Sequence, residues 1–286
     1  MAKKITYRIR NWKNYNRSLI NRGNLTLWFS ENAIKSWYQK PKHSNKRGRP
    51  RTYSNSYIEL ALTLRTLFHF PLRTSDLNIQ ITSLKKKGKA LTDLVIDSTG
   101  LKIFGEGEWK MRTHGKQKRR TWRKYHVSVD PDSHEVTAVE LTEANVHDCT
   151  MLSTLLSAQK NIGNIYADGA YSFKQNFDAI ADKGGKPFIP IRSGTCIVKE
   201  APSKGEIARN QLLKAIWKTG GRSTWKKTSG YHRRSLVETH MFRLKTILGG
   251  ILKGRKLETQ TVEAKIMAKI LNKMTSLGMP KSVKAF

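Results

Sequence analysis

The 286-residue chain carries 54 Lys and Arg against 21 Asp and Glu, a net charge of +33. A chain this basic repels itself unless a polyanion is near, and nucleic acid is the leading partner because neutralising backbone phosphates releases counterions. No apolar run approaches the ~20 residues of a membrane span, and no apolar stretch follows the basic N-terminus as in a signal peptide, so the expected location is the cytoplasm.

The length allows one large domain or two smaller ones. Cys149 and Cys196 have no metal-ligand spacing and read as structural thiols, and the eight histidines form no zinc-type grouping. Residues 1–90 hold 20 of the 54 basic residues but only three of the 21 acids, Glu31, Glu59 and Asp76. This part is expected to be a mainly helical DNA-binding region, with residues 91–286 as a separate domain. From Tyr7 to Tyr38, Asn, Arg and Lys alternate with Trp and Tyr, which serve core packing or base stacking. Lys46 to Arg51 follows, and its Arg-Gly-Arg-Pro core resembles an AT-hook, in which Arg47 and Arg49 track an A·T-rich minor groove; a basic linker is the other reading. Ser56 with Glu59 reads as a capping box opening a helix with Tyr57, Leu60, Ala61, Leu64, Leu67 and Phe68 on one face, which ends near Pro71.

Beyond that point the pattern turns from helical to alternating. A strand is expected at Leu94 to Ser98, a second where Tyr125, Val127 and Val129 alternate with polar residues, and a third at Val136 to Leu141, together a three-strand meander. A helix at about Asp148 to Ala158, a strand ending at Asp168, a helix at about Phe173 to Asp182 and a strand at Pro187 to Ile191 follow. The first hairpin encloses a loop from Trp109 to Lys124 with no acid, whose cations include Arg119, Arg120, Arg123 and Lys124. Such a loop is expected to hold DNA backbone near the catalytic face. Residues 192–229 form a second basic insertion with Arg192, Arg222, Lys226, Trp217 and Trp225, for which the sequence suggests no role. The final helix carries Val262, Ile266, Ile270 and Met274 as a core stripe.

Three carboxylates stand out. The apolar run Leu94 to Ile96 delivers Asp97, and Ile165 to Ala167 delivers Asp168, with Gly100 and Gly169 expected to stop each strand. In YHRRSLVETHMFRLK, read as one α-helix, Arg234, Glu238 and Lys245 return to within roughly 60° of Tyr231. The face so formed sets a carboxylate among cations. Two strand-end aspartates and a helical glutamate suit a pair of hard divalent cations for phosphoryl transfer.

The pattern Tyr, two residues, Arg, three residues, Glu, six residues, Lys, complete at Tyr231, Arg234, Glu238 and Lys245, is similar to the signature of DDE transposases of bacterial insertion sequences. The stretches VIDSTGLKIFGEGEW, RRTWRKYHVSVD, ADGAY and LNKMTSLGMP resemble the family five group, so the likeness spans nearly the whole chain. It implies an RNase H-like mixed α/β core with helices on both faces. It further implies Mg²⁺, with Mn²⁺ as a substitute, held by Asp97, Asp168 and Glu238, with Tyr231, Arg234 and Lys245 on DNA phosphates. The partners are double-stranded DNA, as element ends and target, and a second copy of the chain in a homodimeric DNA complex. Members of the family carry a longer helical segment before the first catalytic strand than the Thr74 to Asp93 stretch here. That difference keeps two alternatives open: a catalytically impaired DNA-binding remnant or repressor, and a nuclease without strand transfer.

Overall fold

The computed structural model describes residues 6–29, 31–38, 52–69, 92–104, 122–159 and 161–285. The AT-hook-like run with Arg47 and Arg49, the stretch before Thr92, and the loop residues Trp109, Arg119 and Arg120 lie outside them. The first elements are β1 (Thr6–Ile9), α1 (Trp12–Gly23), α2 (Glu31–Lys35) and α3 (Asn55–Phe68). Ser54, not Ser56, caps α3: its backbone is extended and its hydroxyl accepts from the Tyr57 N–H at 3.1 Å. Ser56 already sits inside the first turn, where its own N–H and hydroxyl cannot terminate the helix. The burial of α3 centres on Leu60 and Leu62, and Phe68 is exposed.

The strands that follow are β2 (Thr92–Ile103), β3 (Trp122–Val129), β4 (Val136–Glu143), β5 (Ile162–Tyr166) and β6 (Lys186–Phe188). They form a sheet in the order β4-β3-β2-β5-β6, with β2, β3 and β4 antiparallel and β5 and β6 parallel to β2. A sixth strand, β7 (Ile251–Leu252), pairs parallel with the far end of β2. The meander and the mixed sheet flanked by helices are compatible with an RNase H-like core.

Both faces of the sheet are covered, which is why β2 begins as an unbroken apolar run rather than an alternating one. Leu94 and Ile96 point into a cluster with Leu152, Leu155, Phe177 and Ile180, from α4 (Leu152–Ser157) and α5 (Lys174–Asp182). Between the sheet and the signature lie α6 (Lys204–Lys218) and α7 (Arg222–Thr228). Val95 points the other way, into a cluster with Tyr125 and Val127 of β3, Val237 and Leu244 of α8 (Ser235–Leu248), and Ile266 and Ile270 of α9 (Leu257–Leu277). The stripe Val262, Ile266, Ile270 and Met274 is buried along α9. The last strand, β8 (Ser282–Ala285), pairs antiparallel with β1, from Thr6 opposite Ala285 to Ile9 opposite Ser282.

Several boundaries differ from the sequence reading. Strand β2 does not stop at Ser98 but continues through Gly100 to Ile103. A Cβ at Gly100 would stand 3.1 Å from Trp122, so this glycine makes room for an aromatic ring across the ladder and does not end the strand. Trp122, Arg123 and Lys124 belong to β3, not to the loop before it. The helix expected from Asp148 begins as a 3-10 turn, Asp148–Met151, and β6 ends at Phe188, with Ile189 and Ile191 buried beyond it.

The described N-terminal elements pack on the C-terminal helix. Arg22 donates to the Gly278 carbonyl at 2.8 Å, Asn11 to the Met279 carbonyl at 3.0 Å, and Arg65 of α3 to Glu263 of α9 at 2.8 Å. Among the described residues, no helix is long and apolar enough to cross a membrane.

Candidate active site

Strand register builds the site. Val95 of β2 lies opposite Tyr166 of β5 in a parallel pair, and Asp97 and Asp168 each follow two residues later. Asp97 on β2 and Asp168, just past the end of β5, are therefore level along neighbouring segments whose strands run about 4.8 Å apart where paired. Asp97 is in mid-strand, not at a strand end as the sequence suggested. What ends near it is the neighbour: pairing with β5 stops at Val95 and pairing with β7 begins at Lys102. Asp97 and Thr99 occupy the intervening stretch, on the face that α8 covers.

Asp168 caps a 3-10 turn, Gly169–Tyr171, and its Oδ1 accepts from the Ala170 N–H at 2.8 Å. Asp97 accepts from the Ser98 N–H at 2.8 Å through Oδ1 and from Arg234 Nη1 at 2.9 Å through Oδ2. Arg234 then spans to the third acid, its Nη2 lying 2.5 Å from Glu238 Oε1. Glu238 is in the first turn of α8, where the helix dipole favours a negative charge. One guanidinium thus joins a strand carboxylate to a helix carboxylate. Burial pushes the Asp97 carboxyl above its usual range; the Ser98 N–H and Arg234 oppose that shift, and the charges of Asp168 and Glu238 add to it.

The signature is not one α-helix. Tyr231–Arg234 form a 3-10 turn entered through Gly230 at φ 78°, and the α-helix starts only at Ser235. The tighter turn carries Tyr231 inward, where its ring is buried and its hydroxyl donates to the Ala167 carbonyl at 3.2 Å, next to Asp168. Burial raises the Tyr231 hydroxyl to about 12, with Asp168, Asp97 and Glu238 contributing, so it remains a neutral donor. Lys245 lies further along α8, its Nζ 2.6 Å from Thr99 Oγ1.

Arg123 and Lys124 are adjacent on β3 and so face opposite sides of the sheet. Arg123 shares the face of Asp97 but donates to Gln260 at 2.8 Å, and it lies 3.9 Å from Glu143. Lys124 is on the other face, 3.1 Å from Asp148. They do not form one track on the face of Asp97. The sequence reading missed Arg233, which ties the signature turn to Asp93 at 2.8 Å and to Asp132. Its spacing sets it off the Tyr231–Arg234 face, so nothing in the sequence singled it out; only the folded turn shows its partners.

A family model described as Transposase DDE domain matches residues 88–273, more than half of the chain and inclusive of all three acids. The chain belongs to the DDE transposase family. A second model of the same description matches residues 20–76 of this DDE transposase. No solved structure gives a significant match. Membership implies metal-dependent phosphoryl transfer on DNA, and an all-carboxylate donor set suits a hard cation such as Mg²⁺. Among the described residues, no three His, Cys, Asp or Glu side chains converge closely enough to hold a metal in this conformation. Two of the acids are instead drawn together by Arg234.

Proposed function

We propose that this DDE transposase binds the terminal inverted repeats of its element as a homodimer and carries out both strand cleavage and strand transfer at Asp97, Asp168 and Glu238. The register that sets Asp97 level with Asp168, with Glu238 linked to Asp97 through Arg234, is the observation that supports this reading. The three carboxylates would hold two Mg²⁺, which when bound activate an attacking oxygen and stabilise the leaving one. Asp97, half-enclosed and already strained toward protonation by burial and two neighbouring acids, favours the approach of positive charge. Glu238 is the adaptable member: its side chain is 56% exposed, and α8 leaves it free to turn from Arg234 toward the aspartates. Arg234, once released, and Lys245 face the substrate phosphates and counter their charge. Tyr231 acts from beneath, its bond to the Ala167 carbonyl fixing the backbone that presents Asp168.

Purified protein, a labelled inverted-repeat end and Mg²⁺ provide the test. Cleavage followed by joining of the freed 3′ end to a target plasmid, both lost in Asp97→Ala, supports the proposal. Cleavage without joining would make the protein a nuclease, and binding without either would make it a remnant or repressor.

A further inference from the structure

An open cleft of about 530 Å³ is lined by Asp168, Arg192, Arg222, Lys226, Tyr231 and Arg234. The volume is in the range of roughly 300–1,000 Å³ that takes a nucleotide-sized group. Its cations come from separate parts of the chain. Arg192 follows β6, while Arg222 and Lys226, four residues apart, share one face of α7. Trp225, buried between them in sequence, anchors α7 with its ring 5.5 Å from that of Tyr231 and 6.5 Å from that of Phe188. The helix is thereby fixed with its basic face toward the cleft.

These cations differ from the others around the site. Arg234, Arg233 and Lys124 each pair with a carboxylate. Among the described residues, no carboxylate forms an ion pair with Arg192, Arg222 or Lys226. Two of the three contact rings: the Arg192 guanidinium lies 4.6 Å from the centre of Phe173, and Lys226 Nζ lies 5.5 Å from that of Tyr231. Cation–π contacts hold a side chain in place without neutralising it. These three cations, set against the single carboxylate of Asp168, leave the cleft net positive and attract a multiply hydrogen-bonding anion, and guanidinium forks match phosphate oxygens.

We infer that the cleft is a phosphodiester subsite that takes a backbone phosphate flanking the reacting one, so that Arg192, Arg222 and Lys226 position the DNA strand over Asp168. This rests on the reading of Asp97, Asp168 and Glu238 as the reacting centre. The three are positioning residues, distinct from the acids that meet the reacting phosphate.

The test changes protein and DNA together. R192Q/R222Q/K226Q is compared with the unaltered chain on inverted-repeat ends carrying one neutral methylphosphonate at a time near the cleavage position. The unaltered protein is expected to lose roughly 10²-fold in cleavage rate at one flanking position. The triple variant should show a similar loss on unmodified DNA, no further loss at that same position, and a salt slope of binding shallower by about 1 for each phosphate contact removed. Equal methylphosphonate sensitivity in both proteins, or normal cleavage by the variant, overturns the inference. A flat methylphosphonate scan with inhibition by inorganic phosphate overturns it too, by assigning the cleft to a free anion. If the unaltered protein binds ends but cleaves none, the reading of the reacting centre fails; the same cycle, read as binding affinity, then supports or overturns the subsite separately. Should the triple variant melt at a lower temperature, Arg222→Gln alone takes its place in the cycle.

Discussion

Two arginine–carboxylate contacts, alike on paper, serve opposite ends. Arg65 and Glu263 meet at 2.8 Å with side chains 7% and 5% exposed, and the second Glu263 oxygen accepts from the Lys253 and Gly254 N–H groups at 2.7 and 3.2 Å. That pair is dry and its acid is fully engaged, so it clamps α3 to α9 and to the chain leaving β7. Arg234 and Glu238 are just as close, yet Glu238 stays largely in water, and Arg234 divides itself between two acids. Removing one partner of a buried pair strands a charge, whereas exposed pairs contribute little to stability and exchange readily. Burial and the satisfaction of remaining oxygens, not distance, separate a clamp from a movable part.

The sharpest way to break this comparison is at the site. Asp97→Asn should lower cleavage by several kcal/mol of barrier, on the order of 10³-fold or more, with the melting temperature essentially unchanged; a large loss of stability would make Asp97 structural. The clamp should split the other way. Arg65→Ala or Glu263→Ala should cost about 3–5 kcal/mol in urea unfolding, and Arg65→Met with Glu263→Met together should recover most of it. Smaller again is a pH effect on the far face of the sheet. Burial pushes His126 down to about 4, with Asp148 pulling the other way and Lys124 adding to the shift. Because the folded pKa lies below the unfolded one, this stability is complete above about pH 6.5 and is lost as pH falls toward 4. At pH 5 the loss is about 2 kcal/mol, and His126→Gln should flatten that part of a stability–pH curve. The smallest effect belongs to Lys35 and Glu31 on α2, 3.4 Å apart and 76% and 87% exposed. Glu31→Gln should change unfolding by less than about 0.5 kcal/mol.

The strands that carry or precede Asp97 and Asp168, and the helix that carries Glu238, were legible because each follows a strong local pattern: an apolar run before each aspartate, and spaced residues along α8. The meander and the α9 stripe were legible for the same reason. Local pattern failed where a distant partner decides the outcome. Gly100 reads as a strand breaker until Trp122 is seen lying over it. Tyr231 falls on the helix face of Glu238 only if the turn before Ser235 is α; packing on Ala167 makes it 3-10. Ser56, with Glu59 three residues on, has the capping-box spacing, yet the extended backbone that a cap requires falls at Ser54. The Arg65–Glu263 pair spans 198 residues, and the basic wall of Arg192, Arg222 and Lys226 exists only once α7 is anchored by Trp225.

The pairing of β1 with β8 also orders events in time. During synthesis, Thr6 to Ile9 emerge well before Ser282 to Ala285, the strand they pair with. At roughly 5–20 residues per second, the early strand waits on the order of 10–50 s for its partner. Its exposed edge is then open to foreign strands, and the wait ends when the chain closes on itself. A molecule whose β1 edge is free is thus distinguishable from one in which β1 and β8 have paired, and a reagent that captures exposed strand edges would report that closure.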